Sequence, residues 1–180
     1  KDAGIAVGKV AVNLSGKQLA QRNFSGVVED ILTDTGITPD CLEFELTESL
    51  LIQNTEATKL ILDTLKAMGI SIAIDDFGTG YNSFSYLKKF LFNTLKIDQS
   101  FIKYVTKNGS EAAITTAMIS LAKELGINVV AEGVETSEQL AFLQDKEVNK
   151  IQGYYFSPPV TSDKMEDVLY NLEFYFSNFF

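Results

Sequence analysis

The 180 residues contain no histidine, one cysteine (Cys41) and one arginine (Arg22). Without an imidazole there is no Ser-His-Asp triad, no histidine general base and no ordinary histidine-containing zinc site. A lone cysteine excludes an intrachain disulfide and fits a reducing compartment. A net charge of −9 with a single arginine argues against a broad basic surface for a DNA or RNA polymer. No apolar run is long enough to span a membrane, and no signal peptide is visible. Any metal bound here must be held mainly by oxygen, which selects Mg²⁺, Mn²⁺ or Ca²⁺. Methionine is also late: the first is Met68, so the expectation is a piece of a longer protein.

What is present is an ordinary globular composition, 46% hydrophobic and 22% charged, in a length that suits one domain with a sizeable core. Six short apolar runs bounded by turn signals read as strands: Lys9–Asn13, Leu42–Thr47, Ser71–Asp75, Thr94–Asp98, Asn128–Glu132 and Lys150–Phe156. Helical spacing fills the gaps. Ile61, Leu65 and Met68 share a face before Gly69, and Ile114, Met118, Leu121 and Leu125 share one before Gly126. Thr136 and Gln139 form a candidate capping box. Further helices are expected near Gly26–Thr35, Ser83–Phe90 and Ser162–Leu172. Strict strand-helix alternation predicts a parallel sheet, either open and doubly wound or closed as a barrel. Neither a G-x-G-x-x-G fingerprint nor a P-loop occurs, which favours the barrel. Six units are two short of a (β/α)₈ barrel, so the missing ones are expected upstream.

The strand ends carry the chemistry. In order they are Asn13; Glu45 with Glu48; Asp75 and Asp76; Lys96 and Asp98; Glu132 and Glu135; and Gln152. In a parallel barrel these ends share the face where active sites lie. Each has an ordinary structural reading, as a turn cap, an exposed strand position or a surface ion pair. Six in succession make coincidence a poor account. Carboxylates converging there would repel one another unless cations intervene. Two hard cations about 3.5–4 Å apart would remove that cost, draw in a phosphodiester and generate the nucleophile that histidine is not available to make. Lys96 would then orient the water or steady charge on the phosphate. The implied chemistry is in-line, metal-assisted phosphodiester hydrolysis.

The segments "VNLSGKQL" (12–19), "FELTES" (44–49), "DDFGTGYNSFSYL" (75–87), "LKID" (95–98), "VVAEGVET" (129–136) and "QGYYFSPPV" (152–160) resemble, in order and spacing, the EAL-domain family of bacterial cyclic-di-GMP phosphodiesterases. The resemblance implies a TIM-like (β/α)₈ barrel, here truncated to about six units, that opens cyclic di-GMP to linear pGpG with two Mg²⁺ or Mn²⁺ ions. It implies Asn13, Glu45, Asp75, Asp76 and Glu132 as metal ligands. Lys96 resembles the lysine beside the attacking water, and Glu132 and Gln152 are expected with it in the catalytic set. Asp98 and Glu135 match acids around the metals or on the substrate side. Glu48 is similar to the glutamate that holds the loop after Asp76, a loop that in the family links the metal site to a homodimer interface.

The Glu-Ala-Leu motif that names the family, with its nearby arginine, occurs nowhere in these residues, and Asn149 stands where the family usually has aspartate. The expectation is a single phosphodiesterase domain over 1–180 lacking its N-terminal strand-helix units. Its parent would be active and cytoplasmic, or anchored to a membrane through an upstream domain, with sensory or GGDEF domains as neighbours. The fragment itself would turn over weakly or not at all. The alternative is a catalytically silent cyclic-di-GMP-binding or regulatory module; a third is an unrelated barrel enzyme using Mg²⁺ and Lys96 for proton abstraction. An open barrel exposes sheet edges, and with the aromatic tail "EFYFSNFF" (173–180) this raises the prospect of self-association.

Overall fold

A computed structural model describes residues 8–53, 55–80, 87, 89–107 and 109–169. Six strands form one all-parallel sheet in the order β1-β2-β3-β4-β5-β6. They are β1 (Val10–Asn13), β2 (Leu42–Thr47), β3 (Ser71–Phe77), β4 (Thr94–Ile97), β5 (Asn128–Ala131) and β6 (Lys150–Ile151). An open doubly wound sheet reverses its order at a switch point. This one advances without reversal, as the wall of a (β/α) barrel does. The helices between strands are α1 (Gly16–Leu19), α2 (Phe24–Thr35), α3 (Glu48–Gln53), α4 (Thr55–Ala67), α5 (Gln99–Ile102), α6 (Gly109–Glu124) and α7 (Ser137–Asp145). A helical segment over 162–169 follows β6.

The pleat sorts the strand residues onto two faces. Phe44, Leu46, Ile72, Ile74, Leu95, Ile97, Val129 and Ala131 belong to one continuous buried core together with helix residues such as Leu62, Leu65, Ile119 and Ala122. The alternate residues of β2 to β4 are largely polar yet buried: Glu43, Glu45, Ser71, Thr94 and Lys96. Burial there demands partners. Thr94 Oγ1 donates to Glu43 Oε2 at 2.8 Å, and Lys9 Nζ donates to Ser71 Oγ. The apolar face therefore holds the helices on, and the polar face is left for chemistry.

Four sequence expectations change. The sixth strand is two residues long: Gly153 brings its backbone against Val134, and Phe156 N–H then turns back to Gly153 O. In α6 the buried face is Thr115, Met118, Ile119 and Ala122, while Ile114, and Leu125 just past the helix end, are exposed. That face packs on β4 and β5. The fourth and fifth strands end one residue sooner, at Ile97 and Ala131, leaving Asp98 and Glu132 just beyond them. The third runs two residues further, to Phe77. Most of the expected Ser83–Phe90 helix, and the 173–180 tail, lie outside the described residues.

Asn149 finds a structural use. Its Oδ1 accepts from Val129 N–H at 2.8 Å, and Asn93 Oδ1 accepts from Ile72 N–H at 2.9 Å in the equivalent place before β4. An amide oxygen serves that role as well as a carboxylate would. No helix among the described residues is long and apolar enough to cross a membrane.

Candidate functional site

β3 ends in an irregularity that makes the site. Ile74 pairs with Leu95 and Phe77 with Ile97, so three steps on β3 face two on β4. The extra residue is a bulge. Asp76 lies within it at φ 54°, in the left-handed region that aspartate tolerates better than most residues. In a regular strand Asp75 and Asp76 would point to opposite faces. Here oxygens of Asp75, Asp76 and Glu132 all lie within 4.8 Å of one another.

Lys96, from β4, stands at the centre of the carboxylates. Its Nζ lies 2.8 Å from Glu45 Oε1, 3.0 Å from Asp75 Oδ1 and 2.8 Å from Glu132 Oε1, with its side chain 7% exposed. Burial disfavours its charge, but hydrogen bonds to Glu132, Glu45 and Asp75 outweigh that and hold it well above the ordinary lysine pKa. Held by these three carboxylates it stays charged and is a poor base. Burial pushes the Glu132 carboxyl up; Lys96 opposes this, and the charges of Asp75 and Glu45 add to it. Asp76 is also raised, by burial first and then by Asp75 and Asp98. Asp75 Oδ1 is buried, with the ammonium 3.0 Å away as its partner. One lysine thus serves four acids, and at Glu132 and Asp76 burial resists the charge. Oxygen-only donors, this close and sharing a single lysine, suit a hard divalent cation.

The loop after Asp76 is tied down by α3. Glu48, 1% exposed, accepts at Oε2 from Gly80 N–H at 3.3 Å and from Gly78 N–H at 3.4 Å. Gly78 has φ 98°, and a Cβ at Gly80 would sit 2.5 Å from Glu48 Oε1, so both glycines are required. Thr79 Oγ1 donates to Asp76 O, closing the turn. The continuation at 81–86, where a homodimer contact was expected, lies outside the described residues.

Beside the acids is an open cavity of about 610 Å³, walled by Asp76, Asp98, Glu132, Glu135, Gln152 and Tyr154 and on its far side by Pro158, Pro159, Val160, Met165 and Val168. Asp98 also caps α5, accepting from Ser100 N–H at 3.0 Å. Glu135 is exposed at the start of the Thr136–Gln139 capping box that opens α7. Gln152 is fixed through its backbone, its N–H donating to Ala131 O and its O accepting from Val134 N–H. Asn13 pairs in register with Glu45 at the edge of the sheet and is exposed. Sequence reasoning missed the apolar wall from 158 to 168 and the glycines behind the site. Gly133, at φ 70°, passes Gln99 where a Cβ would meet its side chain at 2.4 Å. The signal lay in the "AEGVE" and "QGY" segments, where glycine follows an acid or amide.

Comparison with known proteins places these features. The EAL domain family profile matches residues 2–159. The cyclic di-GMP phosphodiesterase NbdA of Pseudomonas aeruginosa is 39% identical over 89% of this chain and 21% of its own length. Among solved structures, the PaMucR phosphodiesterase in complex with c-di-GMP superposes with a TM-score of 0.85 at 39% identity, over 91% of this chain and 66% of that one. Klebsiella pneumoniae BlrP1, as a manganese/cy-diGMP complex, superposes with a TM-score of 0.80 at 33% identity, over 86% and 40%. The chain spans between 19% and 25% of the length of the curated relatives it matches.

Proposed function

This chain belongs to the EAL domain family, and from that premise we propose that it is the larger part of a phosphodiesterase domain that opens cyclic di-GMP to linear pGpG with two divalent cations. The observation that carries the reading is the bulge at Asp75–Asp76, which turns both carboxylates toward Glu132 and Lys96.

Asp75, Asp76, Glu132 and Glu45 would hold the ions, with Asn13 joining from β1; a Glu-Ala-Leu strand of the kind that names the family would add a further carboxylate. When bound, the cations supply Lewis acidity, lowering the proton affinity of a water and drawing charge off the phosphodiester. The chain's own residues do the rest. Asp75 and Asp76 present oxygens from a rigid strand end, and Glu48 fixes the loop behind them by its two backbone contacts. Lys96 would contribute positive charge beside the scissile group, where a buried cation acts most strongly. Gln152, Glu135 and Asp98 offer polar groups along the cavity wall, and the Pro158–Val168 side gives a nucleobase an apolar surface.

Turnover of cyclic di-GMP with Mg²⁺ or Mn²⁺ by the 180-residue chain, and by a version extended upstream through the Glu-Ala-Leu strand, tests the reading. The extended protein should release pGpG and the shorter one little or none. Full activity in the 180 residues would remove the need for the upstream strand. No activity in the extended protein would favour the silent binding module.

A further inference from the structure

Lys96 presents three N–H donors to three carboxylates drawn from three other strand ends, Glu45 on β2, Asp75 on β3 and Glu132 beyond β5. With Asp76 the cluster holds four acids against one base. Three of those carboxylates, Asp75, Asp76 and Glu132, have oxygens close enough to grip a single cation. Buried carboxylates left to themselves repel and either separate or take up protons. Something must gather them before any metal arrives, and the ammonium is the group in position. It is held by the same carboxylates that a divalent ion would need.

We propose that Lys96 is a resident counter-cation of this cluster: it holds Glu45, Asp75 and Glu132 together in the metal-free protein and yields carboxylate contacts when a divalent cation binds. This rests on the metal-site reading above and gives Lys96 a role before catalysis, as a positioning residue. The arrangement keeps the ligands gathered at the cost of metal affinity, because each incoming ion meets a cation already in place.

The test compares the wild-type chain with Lys96→Met, which keeps the length of the side chain without its charge. Lys89→Met, which removes an exposed ammonium paired with Glu56 at 2.7 Å, is the control. Mn²⁺ binding is measured by titration calorimetry and melting temperature with and without Mn²⁺. Lys96→Met should melt lower than wild type without metal, bind Mn²⁺ more tightly by on the order of tenfold, and gain more melting temperature on binding. Lys89→Met should match wild type. Equal or weaker Mn²⁺ binding by Lys96→Met overturns the proposal while leaving the metal site intact. Absence of Mn²⁺ binding in both proteins, in the 180 residues and in the upstream-extended version alike, overturns the metal-site reading and this proposal with it. Should Lys96→Met fail to fold, lysine-selective ¹⁵N labelling of the wild type gives the answer. A protected ammonium resonance present without metal and displaced by Mg²⁺ is expected. The same resonance unmoved at saturating Mg²⁺ contradicts it.

Discussion

Gly153→Ala is the sharpest single test of how this site is built. A Cβ at residue 153 would lie 2.1 Å from Val134 O, 2.3 Å from Val134 N and 2.7 Å from Val134 C. All three are backbone atoms, so no side chain can swing away. Recovering even a tight contact of about 3 Å requires the two backbones to part by roughly 1 Å. Two hydrogen bonds cross that gap, Val134 N–H to Gln152 O at 3.1 Å and Tyr155 N–H to Val134 O at 2.9 Å. Overpacking of this kind costs about 1–3 kcal/mol, and two weakened backbone hydrogen bonds add about 1–2 kcal/mol. The expected loss is ~3 kcal/mol, which in a chain of this length lowers the melting temperature by roughly 6–12 °C. Gly109→Ala is the matched comparison: nothing lies within 4 Å of a Cβ there, in the first turn of α6. It should hold or slightly raise the melting temperature. Scanning calorimetry of the three proteins decides it. A Gly153→Ala melt within about 2 °C of wild type would refute the close approach that positions Gln152.

Glu48→Ala removes the acceptor for two loop amides and should cost about 2–3 kcal/mol, with faster hydrogen exchange at Gly78 and Gly80 by mass spectrometry; unchanged exchange would contradict the tether. Asn149→Asp should stay within about 0.5 kcal/mol of wild type, whereas Asn149→Ala strands the Val129 N–H and should cost about 1–2 kcal/mol, read by denaturant melts. Ala122→Leu, at a fully buried position on α6, should destabilise by about 1–3 kcal/mol. Leu125→Ala, at an exposed position, should change stability by less than about 0.5 kcal/mol; the reverse order would restore the helix face expected from sequence.

The contrast between Ala122 in α6 and Leu125 just past its end shows what sequence does and does not reveal. Strand-helix alternation and the β-rich runs place all six strands and the parallel order, because both follow from local apolar patterning. Thr136 and Gln139 announce a capping box, and the structure forms it. Choosing the buried face of α6 requires knowing where the sheet lies; helical spacing points to Ile114, Met118, Leu121 and Leu125, of which Met118 is buried and Ile114 and Leu125 are exposed. The acids at the strand ends were legible as a set. Their convergence was not, since it depends on one extra residue at Asp76 and on a left-handed backbone that no periodicity encodes. Likewise "YYF" reads as strand by composition, but Gly153 against Val134 ends β6 first.

The central claim is that the Asp75–Asp76 bulge assembles a divalent site for cyclic dinucleotide hydrolysis. Its most direct test is Mn²⁺-dependent conversion of cyclic di-GMP to pGpG, followed chromatographically in the upstream-extended protein and its Asp75→Asn variant. The account predicts robust turnover in the first, loss of it on adding a chelator, and none above background in the second. Turnover that survives Asp75→Asn would contradict it.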